Sequence, residues 1–282
     1  MSWLSAWRAL TLGGVHAYCG PNCRDNQRET GMGDLKGKTI LITGAGRGIG
    51  AASALACHKA GAKVVLHASA KSEFSAKAAE AIGQTAEDFL YVDFTKAGAG
   101  AALFEKAIAK AGQIDAVLNN AGAYIATPLD SDDGDWQDLW ATTMAVNVQA
   151  PADICRAAIA HFQARKSGGI IVNVASRAGH RGDGPDHSAY AASKGAVLAM
   201  TKTFARSLAG EGILFYAIAP GFVETRMAPE DIEKRAQAVK EIPLGRVAAP
   251  EEVAATSVFL LSGVVPAATG STFDINGASY VR

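Results

Sequence analysis

Cysteine is scarce in this sequence of 282 residues: Cys19, Cys23, Cys57 and Cys155 are all there is, and no Cys-x-x-Cys pair occurs. That argues against a disulfide framework and against the usual paired-cysteine zinc sites, and it points to a reducing compartment, so a cytoplasmic protein is expected. An excess of either charge is also missing, since 27 Lys and Arg balance 27 Asp and Glu. Without a broad basic surface there is little to attract nucleic acid or anionic lipid, which leaves a small molecule as the expected partner. Nor does any apolar run approach the roughly 18 to 20 residues that a membrane-spanning helix needs.

Residues 1–31 lack the apolar core of a secretory signal. Trp3, Leu4, Trp7 and Leu10, with Arg8, form a weak amphipathic pattern ahead of a polar stretch. Two readings stand for this segment. An over-extended start or disordered arm is favoured, because Met32 directly precedes Gly-Asp-Leu-Lys-Gly-Lys; a targeting peptide is the other. Cys19 and Cys23 are taken as part of the arm, and no metal site is expected. Residues 32–282 form the folded domain on this reading.

From Lys38 onward the pattern is regular. Thr39 to Thr43 is a short β-branched run, followed by glycines and an Ala-rich stretch from Ile49 to Ala60 that ends at Gly61. Such an order predicts strand, tight loop, helix and C-cap. Further strands are predicted at Lys63–His67, Phe89–Val92, Ala116–Leu118, Ile170–Val174, Leu214–Ile218 and Ser271–Ile275, with helical stretches between them. Runs that are apolar throughout belong to strands buried on both faces, and β/α alternation implies a parallel sheet. The expected fold is one doubly wound α/β domain with a parallel seven-stranded sheet flanked by helices.

Thr43 to Gly50, Thr-Gly-Ala-Gly-Arg-Gly-Ile-Gly, lies between the first strand and first helix, where a dinucleotide pyrophosphate can meet backbone N–H groups at a helix N-terminus. Its spacing, Gly44-x-x-x-Gly48-x-Gly50, differs from the usual Gly-x-Gly-x-x-Gly fingerprint and resembles that of the short-chain dehydrogenase/reductase family. The likeness continues in order along residues 36–282. Asn119-Asn120-Ala121-Gly122 follows the fourth strand, Asn147 lies in Met144 to Val148, and Ser176 follows the fifth strand. Tyr190-Ala-Ala-Ser-Lys194 comes next, then Pro220-Gly221 with Thr225 beyond. Six ordered segments are far more specific than any one of them. The resemblance implies a Rossmann-type fold, a nicotinamide cofactor, and a dehydrogenase or reductase acting on a carbonyl or alcohol (a ketone, 3-oxoacyl or sugar-type substrate).

Chemistry can be read from the residues as well. Reducing a carbonyl leaves an alkoxide that needs a proton, and free tyrosine, with a pKa of about 10, exchanges protons poorly at neutral pH. Residues i and i+4 share a helix face, so the Lys194 ammonium is expected beside the Tyr190 phenol, where it would stabilise the phenolate. Ser176, at the carboxyl end of its strand, is placed to polarise the substrate oxygen. By the resemblance, Asn147 kinks a helix and anchors a water that links the lysine to solvent. One departure from the family stands out: Ser176 and Tyr190 are 190 − 176 = 14 positions apart, one more than is usual, so Gly182 to Pro185 is expected to bulge and alter the pocket wall. His180 and His187 are read as polar loop residues. Asp132-Asp133-Gly134-Asp135 is read as the charged start of a helix and not as a calcium loop.

NADP is expected over NAD. A carboxylate at the end of the second strand would favour NAD by binding the ribose hydroxyls; here His67 runs into Ala68-Ser69-Ala70-Lys71. Arg47 stands where NADP-preferring relatives often carry a base, and Ser69 and Lys71 add possible phosphate donors. The resemblance extends the cofactor set to Gly44, Gly46, Gly48, Ile49 and Gly50 in the loop, and to Asp93, Asn120, Gly122, Tyr190, Lys194, Pro220, Val223 and Thr225. Phe222 to Arg246, irregular and mixed in charge, is read as a substrate lid. A homotetramer or dimer is implied, with Val146, Ile154, Val197 and Met200 on buried faces. Two other functions are kept open: a non-catalytic NADP-binding regulator or scaffold, and a dehydratase or epimerase on the same fold.

Overall fold

In the computed structural model, residues 33–225, 236 and 239–282 are described. The readings made for residues 1–31, including Cys19 and Cys23, lie outside the described residues, as do residues 226–235, 237 and 238 of the expected lid.

Every predicted strand forms. Their ranges are β1 Thr39–Ile42, β2 Lys63–Ala68, β3 Leu90–Tyr91, β4 Ala116–Asn119, β5 Gly169–Val174, β6 Ile213–Pro220 and β7 Thr272–Ile275. All neighbouring strands pair in parallel, in the order β3-β2-β1-β4-β5-β6-β7. The chain therefore winds outward from β1 to β3, returns, and winds the other way from β4. At that reversal, between β1 and β4, successive crossovers lie on opposite faces and leave a crevice above the carboxyl ends of the strands.

Alternate side chains of each strand feed opposite faces of the sheet. Ile40 and Ile42 pack with Ala54, Cys57, Val64, Leu66, Leu118 and Leu260, beneath α1 (Gly48–Lys59) and the helix Pro250–Ser262. Leu41 points the other way, into a second core with Val65, Leu103, Phe104, Ile154, Phe162, Ile171 and Phe215. That core lies beneath α3 (Ala99–Ala111) and α5 (Ala150–Arg165), α2 being the short helix Glu73–Glu80. Full burial of each such side chain contributes about 1.5–3 kcal/mol. Two apolar faces explain why β1 reads Ile-Leu-Ile with no polar alternation.

α4 (Asp133–Met144) starts as the sequence predicts, with the Asp132 side chain capping Asp135 N–H at 2.9 Å. Between α4 and α5 the helix widens into a π-turn, Ala145–Gln149, where Ala150 N–H reaches back to Ala145 O. Pro151 supplies the reason: having no N–H, it leaves the Asn147 carbonyl without its helical partner. α6 (Ala178–Arg181) is a single turn, and α7 (Ser188–Leu208) is the long helix that carries Tyr190 and Lys194. Pro250–Ser262 is α8 among the described helices. None of the described helices is long and apolar enough to cross a membrane.

Candidate active site

The glycine loop closes over the end of β1 and is fastened from both sides. Gly44 N–H donates to His67 Nδ1 at 3.3 Å, and Ala45 N–H donates to His67 O at 2.8 Å. From the β4 side, Asn120 Nδ2 donates to Thr43 O (2.9 Å) and Gly44 O (3.2 Å), while Thr43 Oγ1 accepts from Asn120 and Ala121 N–H. A Cβ at Gly50 would stand 2.1 Å from Gly44 O, so only glycine lets the first turn of α1 approach its own loop this closely. Gly48 has φ +54°, and a Cβ there would meet the Thr225 methyl at 3.1 Å, which places Thr225 against the loop. The cradle is thus walled by backbone and open toward the N-terminus of α1, a form that fits a pyrophosphate.

The other expected cofactor residues lie as follows. Arg47 is exposed at the N-cap of α1 with extended backbone, and Ser69 is exposed just past β2. Asp93 is exposed, and its carboxylate, accepting Thr95 N–H at 3.0 Å, is held below the usual carboxylate range. Ile49 packs against the first core, while Val223 is buried and bridges to Ala248. The Pro220 carbonyl accepts Arg177 N–H at 3.0 Å. The Lys71 ammonium pairs with Glu87 on the surface. Asn120 gives its amide N–H groups to the loop carbonyls.

Asn147, Ser176, Tyr190 and Lys194 come together at the carboxyl ends of β4 and β5. Ser176 Oγ accepts Ala178 N–H at 3.1 Å and hydrogen-bonds to the Tyr190 hydroxyl, so the extra loop residue leaves that pair in contact. The added length is taken up by the α6 turn, by Gly182 at φ +82°, and by a 3₁₀ turn at Pro185–His187. Asn147 is buried: its Oδ1 accepts Ala123 N–H (2.7 Å) and its Nδ2 donates to Ala123 O (2.9 Å) and Ser193 Oγ (3.0 Å). It therefore ties the segment after Gly122 to α7, within the turn before Lys194.

Lys194 Nζ donates to Val174 O at 2.9 Å and stands 5.7 Å from the centre of the Tyr190 ring. A Cβ on Gly122 would come within 3.3 Å of that nitrogen, so glycine keeps the space open. Burial dominates the electrostatics of the pair. It raises the Tyr190 phenol, with the Ser176 hydrogen bond opposing, and it lowers Lys194 to about 8. At neutral pH Tyr190 is thus a protonated phenol. Lys194, placed to stabilise its phenolate, sits nearer the Val174 carbonyl than simple i, i+4 spacing suggests.

Beside Tyr190 lie two residues that the sequence reading did not single out, Tyr124 and, next to it, Arg177. Tyr124 stacks on His187 (ring centres 4.0 Å apart, 6° between planes) and meets Tyr190 edge-on at 4.7 Å. Arg177 lies over Phe222, its guanidinium carbon 4.5 Å from the ring centre. Arg177 had one visible signal, a strong cation directly after the candidate serine. His180 stacks instead on Tyr280. Among the described residues no cluster of His, Cys, Asp or Glu could hold a metal ion.

Known proteins share both the sequence and this arrangement. The profile of the Enoyl-(Acyl carrier protein) reductase family matches residues 44–278. The 3beta-hydroxysteroid dehydrogenase 1 of Eggerthella lenta is 36% identical over 249 residues, 86% of this chain and 94% of its own. A 3-oxoacyl-[acyl-carrier-protein] reductase of Thermotoga maritima is 36% identical over 253 residues, 88% of this chain and 99% of its own. Among solved structures, a 3-oxoacyl (acyl-carrier-protein) reductase from Agrobacterium tumefaciens, with NADP bound, superposes with TM-score 0.79 at 33% identity, covering 90% of this chain and 98% of its own. The class so defined is that of oxidoreductases that transfer a hydride to or from a carbonyl or alcohol carbon. Coverage of nearly the whole described fold settles the narrower grouping: the chain belongs to the short-chain dehydrogenase/reductase family.

Proposed function

We propose that residues 32–282 form a catalytic domain that uses NADP(H) to interconvert a small carbonyl compound and its alcohol, with Tyr190 as proton donor and acceptor. One observation carries this reading. Hydrogen bonds fasten the glycine loop to Asn120, and three residues further along the same segment they run from Ala123 through Asn147 and Ser193 to the Tyr190 carbonyl. The cradle that suits a dinucleotide and the residue whose phenol suits a carbonyl are thus both tied to the segment that follows β4.

When bound, the nicotinamide supplies or takes up the hydride. Ser176, already hydrogen-bonded to the Tyr190 hydroxyl, helps hold the substrate oxygen beside it. The Tyr190 proton then moves to the alkoxide as charge develops there, and in oxidation it moves the other way. Lys194 stabilises the phenolate left behind, and a buried ammonium does so far more effectively than a solvated one. Asn147 acts as a positioning residue, tying Ala123 to Ser193 and so to the turn that carries Tyr190 and Lys194.

The preference for NADP is supported by Arg47, exposed at the mouth of the cradle, and by the lack of a carboxylate just after β2. It is supported also by the NADP seen in the Agrobacterium reductase. The Lys71–Glu87 pair is exposed and screened by solvent, so Lys71 can be recruited at little cost. Substrates of the ketone, 3-oxoacyl or sugar type fit the relatives' named activities, and a cytoplasmic dimer or tetramer fits the same resemblance.

Titration with NADPH and NADH in parallel, followed by nicotinamide fluorescence, tests the reading. Arg47→Ala is expected to weaken NADPH binding about tenfold, the effect of one charge-assisted contact, and to leave NADH nearly unchanged. Equal losses would remove Arg47 from the 2′-phosphate. Binding of neither cofactor to the wild-type protein would overturn the function.

A further inference from the structure

Arg177 is a cation placed where a cation is costly. Its residue is only 6% exposed, and its Nη1 is buried with no hydrogen-bond partner among the described residues. Burial lowers its pKa, which is the sign of a charge deprived of solvent. A buried charge of this kind usually finds an opposite charge or a full set of acceptors. Here the nearby acids, Glu241 and Asp183, offset only part of the burial, and neither forms an ion pair with Arg177. Glu241 pairs with Arg181 at 3.5 Å, and Asp183 accepts from the Tyr124 hydroxyl and from Gly184 N–H.

Its position gives the uncancelled donor a purpose. Arg177 directly follows Ser176, and its own N–H is clamped to Pro220 O. Stacking on Phe222 occupies one face of the guanidinium, and the buried Nη1 donor is left unspent among the described residues. Tyr124, which meets Tyr190 edge-on, is close enough for its hydroxyl to feel the Arg177 charge. Arg177 therefore lies one aromatic ring away from Tyr190 and next to Ser176 in the chain.

We infer that Arg177 is a specificity-determining residue that binds a carboxylate of the substrate, making the protein's substrates short oxo acids and their hydroxy-acid counterparts. This rests on the oxidoreductase reading and narrows its substrate class. A carboxylate matches the planar donor edge with two parallel N–H···O bonds, and it removes the cost of the buried charge. Because Tyr124 lies between Arg177 and Tyr190, an acid group held at the one and a carbonyl at the other fit within one small molecule. A neutral twin of the same substrate leaves Nη1 unpaired and is penalised for it.

The experiment compares 2-oxobutanoate and 3-oxobutanoate with their methyl esters, using wild type, Arg177→Gln and Arg177→Lys, each with its NADPH affinity measured. In parallel, unreactive butanoate and butanamide are titrated onto the NADPH-loaded protein by calorimetry. Wild type is expected to favour the acids at least tenfold in kcat/KM, and to bind butanoate at least tenfold more tightly than butanamide. Arg177→Gln should erase both preferences while ester turnover and NADPH affinity stay within about twofold, and Arg177→Lys should restore part of each. Loss of acid and ester activity together would make Arg177 a support for Phe222 and overturn the proposal. Wild-type indifference between acid and neutral twin would do the same, with tight NADPH binding leaving the oxidoreductase reading intact. Failure of wild type to bind NADPH would overturn both.

Discussion

The two sides of the crevice are built from different materials. On the cofactor side, the glycine loop presents backbone, held by Asn120 above and His67 below, and a single methyl group at Gly50 would collide with Gly44 O. On the substrate side, side chains from four separate stretches form the wall: Tyr124, Arg177, His187 and Phe222. Backbone recognition suits a ligand part that never varies, such as a pyrophosphate. A wall of side chains can be changed one residue at a time without disturbing the sheet, which is how one fold serves many substrates. Tyr190 stands between the two and answers to both.

The sharpest way to break this division is at Tyr190 itself. Tyr190→Phe removes the proton and leaves the ring, so turnover should fall by roughly 10² to 10⁴ while NADPH affinity holds, since the loop on the other side is untouched. Steady-state kinetics beside fluorescence titration would check it. Retained turnover would take Tyr190 out of the chemistry.

A smaller effect is expected beneath the loop. His67 is buried, its Nδ1 accepts Gly44 N–H and its Nε2 donates to Val92 O at 2.9 Å, so the ring is neutral. Burial lowers its pKa to about 4, against about 6.5 in an unfolded chain. Because the folded value is depressed, the contribution is fully present above pH 6.5. It is lost as pH falls toward 4, where the unfolded chain takes up a proton and the folded one does not. The loss amounts to about 3 kcal/mol between pH 7 and pH 4. Urea denaturation of wild type and His67→Asn across that range should show the wild type losing about that much more, and parallel slopes would exonerate His67.

Within the loop the contrast can be drawn more finely. Gly50→Ala should destabilise the protein by about 1–3 kcal/mol, because backbone must shift to admit the methyl. Gly46→Ala meets nothing closer than Ser75 at 3.6 Å, an ordinary contact, and should stay within about 0.5 kcal/mol. Denaturation midpoints and NADPH affinities would separate them, and equal sensitivity would mean that the glycines serve flexibility more than close approach.

Much of the cofactor side could be read in advance because its information is local. The β-branched run of β1, the glycine spacing and the start of α1 occupy a dozen consecutive residues, and their geometry follows from steric rules that act between neighbours. The i, i+4 spacing of Tyr190 and Lys194 is local too, as is Pro151, whose missing N–H explains the π-turn at Asn147. Strand ends were less legible: β3 shrinks to Leu90–Tyr91, since pairing depends on how far its one neighbour, β2, extends. Lys71 could not be assigned from sequence because Glu87, its partner, is brought there by the fold.

The sequence by itself determined the doubly wound sheet, the glycine loop that opens α1 and the i, i+4 placement of Tyr190 and Lys194 on one helix, because each depends on periodicity or on spacing within a short stretch. Only the tertiary structure decided that Lys194 rests on Val174 O, that Asn120 spends its amide on the loop, and that Arg177 is buried on Phe222 with a donor unspent. Those outcomes depend on which distant segments share a boundary and exclude water there, and no local rule of the chain carries that information.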